Sequence, residues 1–225
     1  MNAASRPNST KRILGTSVQG RAIECEELGS GDEAVLIMGA IHGEEPASAA
    51  LVTHLAEKLR NDLPIPQDRR LVLMPVANPD GYAAGVRQNA HGTDLNRNFP
   101  APNFARAAEH GAAPLCEPES RVIKSVVDDY RPVHIVAVHQ PKECIDFDGP
   151  AKGLAEAMAA CTNLPIKRLG SLPGSLGSYA GLQLNIPIIT LELPEEASDQ
   201  GNEALWNAYG KAMLAAVHFP NPIPD

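Results

Sequence analysis

The sequence predicts an α/β fold: a single domain on a mixed, mainly parallel sheet with helices on both faces. Three observations predict it. Apolar runs of strand length alternate with longer segments of helical period. The most apolar run, "EAVLIMGAI" (33–41), is continuous rather than alternating, as in a parallel strand covered on both sides. No composition break, internal repeat or long linker divides the 225 residues, a length that fits one large domain.

The elements follow in order. Residues 1–12, "MNAASRPNSTKR", are polar and are expected to fray, leaving a domain over 13–225. "RILGTSVQGRAIECEEL" (12–28) suggests an early antiparallel pair. After the strand at 33–41, "EEPASAALVTHLAEKLR" (44–60) has helical period. Pro46 suits its first turn, and Ala49, Leu51, Val52, Leu55 and Leu59 share a face. "RRLVLMPVANPDG" (69–81) is a second strand ending in a turn. "PESRVIKSVVDDY" (118–130) is a short helix and "PVHIVAVHQP" (132–141) a third strand. "GPAKGLAEAMAACTN" (149–163) is a helix, "NIPIITLELP" (185–194) a fourth strand, and "NEALWNAYGKAMLAAVHF" (202–219) a closing helix.

Composition narrows the function. The formal net charge is -8, which argues against nucleic acid as a partner because phosphate binding needs a basic surface. No run of eighteen apolar residues exists, so no membrane span is expected. The opening residues lack the apolar core of a secretory signal, so a cytoplasmic location is expected. The four cysteines, Cys25, Cys116, Cys144 and Cys161, form no C-x-x-C pair and are expected as reduced thiols. Nothing in the sequence sets an oligomeric state.

In open α/β sheets, ligands bind beyond the carboxyl ends of the strands. His42 and Glu45 follow the first strand of the sheet centre. Asn78, Pro79 and Asp80 follow the second, His139 ends the third, and Glu192 lies near the end of the fourth. Each has an ordinary explanation alone. A histidine at a strand end usually makes one local hydrogen bond, and a glutamate at a helix start complements the dipole. Glu192 resists that explanation, because a carboxylate inside "IITLELP" is costly unless paired, coordinated or solvated by a cleft. Together at one edge they suggest a catalytic zinc site, for which two histidines and one glutamate are a known ligand set. The His42-x-x-Glu45 spacing suits a tight turn, with His139 closing the site. Glu192 would then move protons, and Glu44 is a competing ligand candidate.

These residues lie in motifs that resemble the zinc carboxypeptidase family. The matches are "HGEE" (42–45), "NPDGY" (78–82), "GVRQN" (85–89), "GTDLNRNFP" (92–100), "CEPESR" (116–121), "VHQP" (138–141) and "TLELP" (190–194), in the family's order. The resemblance implies one zinc ion on His42, Glu45 and His139, and Glu192 as catalytic base and acid. It implies that Arg87 stabilises the oxyanion of the scissile carbonyl. Asn96 and Arg97 would grip the carboxylate of the leaving amino acid, Arg offering a bidentate fork. Digestive members carry a tyrosine before the catalytic glutamate. Here Tyr179 is placed on the substrate side but is not equated with that residue, and Tyr82 is read as structural.

The short chain, the trimmed connection between His139 and Glu192, and the ending "GSLGSYAG…IPIITLELP" resemble one branch of the family. That branch cuts the γ-D-glutamyl–meso-diaminopimelate amide of murein tripeptide in peptidoglycan recycling. The implied partner is therefore a small peptide, and residues 170–181 are expected to line its side-chain pocket. A general metallocarboxypeptidase is an alternative. Another is an N-acyl amino acid deacylase of the aspartoacylase and succinylglutamate desuccinylase type, ranked lower because those chains carry a further β domain. A silent scaffold ranks last, since such proteins typically lose a ligand or the base.

Overall fold

The computed structural model describes residues 8–223. Seven strands form one sheet in the order β1-β2-β4-β3-β5-β7-β6. They are β1 (Ser9–Thr16), β2 (Ala22–Leu28), β3 (Glu33–Met38), β4 (Arg69–Met74), β5 (His134–His139), β6 (Lys142–Asp148) and β7 (Ile188–Pro194). The centre, β4-β3-β5-β7, is parallel, and β1, β2 and β6 attach antiparallel at the edges. The sheet is thus mixed, with its parallel part at the centre. The early antiparallel pair forms as expected from its polar alternation.

Two differences from the sequence reading concern polar segments. Residues 9–12 lie in β1 rather than in a frayed end, because pairing with β2 satisfies their backbone. The remainder of the expected tail, 1–7, lies outside the described residues. β6 was not expected at all. Its sequence, KECIDFD, mixes charged with apolar residues; Lys142, Asp146 and Asp148 line the molecule's cleft, and the two aspartates are buried there.

Five α-helices flank the sheet: α1 (Pro46–Asn61), α2 (Pro79–Ala84), α3 (Pro118–Tyr130), α4 (Lys152–Ala159) and α5 (Asn202–His218). α1, α4 and α5 cover one face. Leu51, Val52, Leu55 and Leu59 of α1 pack there with Leu154 and Met158 of α4 and Met213 of α5. Truncating Leu55 to alanine would cost about 2–5 kcal/mol, the transfer term plus a cavity. α3 covers the other face with Ile123, Val126 and Val127, beside Phe99 and Leu95 from the long irregular segment 85–117. α2 is a six-residue helix that the sequence reading left as a turn. Asn78 caps it by accepting from the Gly81 N–H at 3.0 Å, and Gly85 ends it at φ 66°.

Candidate active site

The parallel centre delivers its side chains to one edge, and the connections there are clamped. The Ser48 hydroxyl accepts from Ala40 N–H at 2.8 Å and donates to the Glu45 carbonyl at 2.6 Å, tying both ends of the β3–α1 turn. Gly43 is required at the turn's tip, because a Cβ there would lie 1.9 Å from the Gly81 carbonyl carbon. Asn78 Nδ2 donates to the carbonyls of Ile41 and Arg87, which joins the turn to the segment behind it. Asp80, in the first turn of α2, serves a different purpose. It accepts from Ser17 Oγ and Gln19 N and pairs with Arg21, bracing the β1–β2 turn away from the site.

His42, Glu45 and His139 meet in this framework, all nearly buried. Glu45 Oε1 is 2.7 Å from His42 Nδ1, and Glu45 Oε2 is 3.1 Å from His139 Nδ1. The side chain of Glu45 makes no cap bond to α1 and instead meets both imidazoles. Glu44 points elsewhere: it is half exposed, with Oε1 3.8 Å from Arg87 Nη1. One ligand atom from each of His42, Glu45 and His139 lies within 4.8 Å of the others, so the cluster can hold a metal ion.

The donor set fits zinc on a further ground. His42 Nε2 is 3.1 Å from Asp94 Oδ1, which fixes the ring and leaves Nδ1 to face the other two donors. Burial alone would push the Glu45 carboxyl up, but His139 and then His42 hold it down at about 2. Burial likewise favours the neutral form of His42, yet hydrogen bonds to Asp94 and Glu45 raise its pKa overall. Asp94 moves well below the usual range despite its burial, held there by His42, Arg87 and Arg97. The Glu45 and Asp94 carboxylates are thus held ionised by the imidazoles and guanidiniums around them.

Glu192 stands opposite His139 on the neighbouring strand. It is 4% exposed, so its carboxylate faces the cleft rather than bulk water. Its Oε2 accepts weakly from Lys142 N–H at 3.4 Å, and Lys142 Nζ is 3.6 Å from Oε1. Arg87, Asn96 and Arg97 line the same cleft. Arg87 places Nε and Nη2 each 2.9 Å from Asp94 Oδ2, which leaves Nη1 directed toward the cluster. Asn96 Oδ1 accepts from Leu176 N–H at 2.9 Å, leaving its amide donors for the cleft. Arg97 Nη1 donates to the Asn96 carbonyl at 2.6 Å, which steadies the pair.

Tyr179 is not brought to the cleft. It is 3% exposed and stacks on Phe99 in the core beneath, with ring centroids 6.0 Å apart. Its place shortly before Glu192 suggested the substrate side, but residues 178–183 form a helical turn that aims this ring inward. The sequence reading missed Asp94, although it lies inside "GTDLNRNFP". The signal available there was a carboxylate two residues before the Asn-Arg pair. It also missed Lys142, Asp146 and Asp148, whose signal was the period-two charge of β6.

Residues 2–148 match the family described as zinc carboxypeptidase, and the chain belongs to that family. It is therefore a zinc-dependent hydrolase of peptide or amide bonds. The chain is 35% identical over 189 residues to murein peptide amidase A of Escherichia coli K12, covering 76% of this chain and 75% of that one. It is 32% identical over 187 residues to murein peptide amidase A of Vibrio campbellii, covering 73% and 71%. The crystal structure of a murein-tripeptide amidase from Escherichia coli O157 superposes with TM-score 0.75 at 29% identity, covering 94% and 93%. Carboxypeptidase A of Helicoverpa armigera shares the fold at TM-score 0.76 and 19% identity, covering 94% of this chain and 69% of that one.

Proposed function

We propose that the protein hydrolyses the γ-D-glutamyl–meso-diaminopimelate amide of murein tripeptide, as a zinc-dependent amidase in peptidoglycan recycling in the cytoplasm. One observation carries the reaction class: a buried His42–Glu45–His139 donor set faces Glu192 across adjacent strands, with Asn96 and Arg97 on the same cleft. The likeness to murein amidases over three quarters of the chain supports the substrate. No helix among the described residues is long and apolar enough to cross a membrane.

His42, Glu45 and His139 are the metal ligands in this reading. Zinc held by them supplies Lewis acidity and acidifies water. Glu192 takes the proton of the attacking water and returns it to the departing amine of diaminopimelate. Arg87 donates to the oxygen on which negative charge develops, and Asp94 keeps the guanidinium in place. Asn96 and Arg97 hold the carboxylate next to the scissile amide, so substrates with a blocked carboxyl are excluded.

The test is mass spectrometry of products from purified protein and L-Ala-γ-D-Glu-meso-diaminopimelate. Release of free diaminopimelate is expected. Release only from ordinary peptides of L-amino acids would replace this reading with a general carboxypeptidase. Release only from N-acyl amino acids would replace it with a deacylase.

A further inference from the structure

The face of the sheet that presents Glu192 continues along β6. Cys144 pairs with Glu192, Asp146 with Thr190 and Asp148 with Ile188, so all of these side chains project to the same side. Each step of two residues advances about 6.7 Å. Asp146 and Asp148 therefore sit one and two steps from the level of Glu192, farther into the cleft that all three line. Both are 5% exposed.

These two carboxylates have few partners for buried charges. Asp148 accepts from Ser171 Oγ through Oδ1. Among the described residues its Oδ2 accepts no hydrogen bond, and no cation lies within 4.0 Å of it. Asp146 accepts from Leu169 N–H at 3.2 Å through Oδ1, and its one cation, Arg168, is 3.6 Å away. Arg168 is more than half exposed and stacks over Phe147, outside the cleft. Burial, with the Asp148 charge adding to it, raises the Asp146 pKa despite its backbone hydrogen bonds.

The wall opposite is cut to fit Asp148. A Cβ on Gly177 would lie 2.4 Å from Asp148 Oδ2, and one on Gly181 would lie 2.5 Å from Asp148 Cβ. The glycines of "GSLGSYAG" thus allow the helical turn to close against this carboxylate while its second oxygen stays unbonded.

We propose that Asp146 and Asp148 bind an ammonium group at the far end of the leaving residue's side chain, making a distal amine the specificity determinant. This rests on the amidase reading above and deepens it. Asn96 and Arg97 hold the leaving residue's carboxylate, Glu192 faces its nitrogen, and the side chain runs along β6 to the two aspartates. The substrate class is a peptide whose last residue carries a side-chain amine, such as diaminopimelate or lysine. A tip without an amine would bring no donor to either buried carboxylate.

The experiment compares L-Ala-γ-D-Glu peptides ending in meso-diaminopimelate or in 2-aminopimelate, which keeps the stem and distal carboxylate but lacks the amine. kcat/KM is expected to be roughly 100-fold higher for the diaminopimelate peptide. In Asp148→Asn and Asp146→Asn, checked for retained zinc and melting temperature, that ratio should shrink toward one. Equal cleavage of both peptides by the unmodified protein overturns the inference while leaving the amidase reading intact. A 100-fold ratio that persists in both variants assigns selectivity elsewhere and also overturns it. Cleavage of neither peptide overturns the amidase reading and this inference together.

Discussion

Strand β5 carries a histidine at each end, and the two live in different chemistry. His134 and His139 are 3% and 4% exposed, five residues apart in one apolar strand. His134, at the amino end, donates Nε2 to the Ala216 carbonyl at 2.9 Å and lies edge-on to Phe219. Burial pushes its pKa down to about 4 against the pull of that hydrogen bond, and the Arg69 charge adds to the fall. His139, at the carboxyl end, turns Nδ1 to a carboxylate shared with a second imidazole. Residue type and burial are the same; the end of the sheet decides. Loops gather where parallel strands finish, and there a histidine finds carboxylates rather than a helix carbonyl.

Four experiments break or sharpen this contrast, beginning with the largest effect. Replacing Glu192, the residue opposite His139, by glutamine should reduce kcat by roughly 1000-fold or more while zinc content stays at one per chain. Normal turnover in that variant would remove Glu192 from the reaction. His139→Ala should lose zinc on dialysis and most activity with it, whereas His134→Gln should keep kcat/KM within about twofold, the sites being far apart. Equal losses in both variants would mean that the two ends of β5 are not distinct.

Asp94→Asn comes next, with an expected fall of about 10–100-fold in zinc affinity or activity, because both His42 and Arg87 lose an anchor. Zinc titration against a competing chelator separates the two contributions.

The smallest effect concerns stability alone. The folded pKa of His134 lies below its unfolded value, so on acidification the unfolded chain takes the proton first. Its contribution is complete above about pH 6.5 and is lost as the pH falls toward 4, a change on the order of 3 kcal/mol. Denaturant midpoints across that window should fall more steeply for the unmodified protein than for His134→Gln. Parallel curves would contradict the assigned shift.

The grouping of the candidate site residues at one edge was more legible in the sequence than the full set of strands that holds them. His42, Glu45, His139 and Glu192 could be found because each follows or ends an apolar run, and strand ends are visible in hydropathy. β6 could not, because its inward face is charged and its pattern is that of a solvent-exposed edge. Charge at alternate positions ordinarily marks a face turned to water, whereas here it marks a cleft. Asp94 was hidden for another reason: its partners, His42 and Arg87, are joined only by the fold. Tyr179 failed in the opposite direction, since proximity to Glu192 in sequence says nothing about which side of a helical turn its ring occupies. α3 fared best, spanning Pro118–Tyr130 as expected, because a proline start and amphipathic period are local properties.

The Ser48 clamp has a consequence for how the protein acquires its metal. The turn bearing His42 and Glu45 is fastened at both ends by one hydroxyl, and its tip is pressed against Gly81 by contacts that involve no donor atom. Two of three donors are therefore set by the scaffold, with little entropy left to lose on capture. Loading is then an encounter with a finished receptor, unlike small zinc modules that fold only as the ion arrives. Chelated protein should keep its near-ultraviolet circular dichroism and regain activity within the mixing time when zinc is returned.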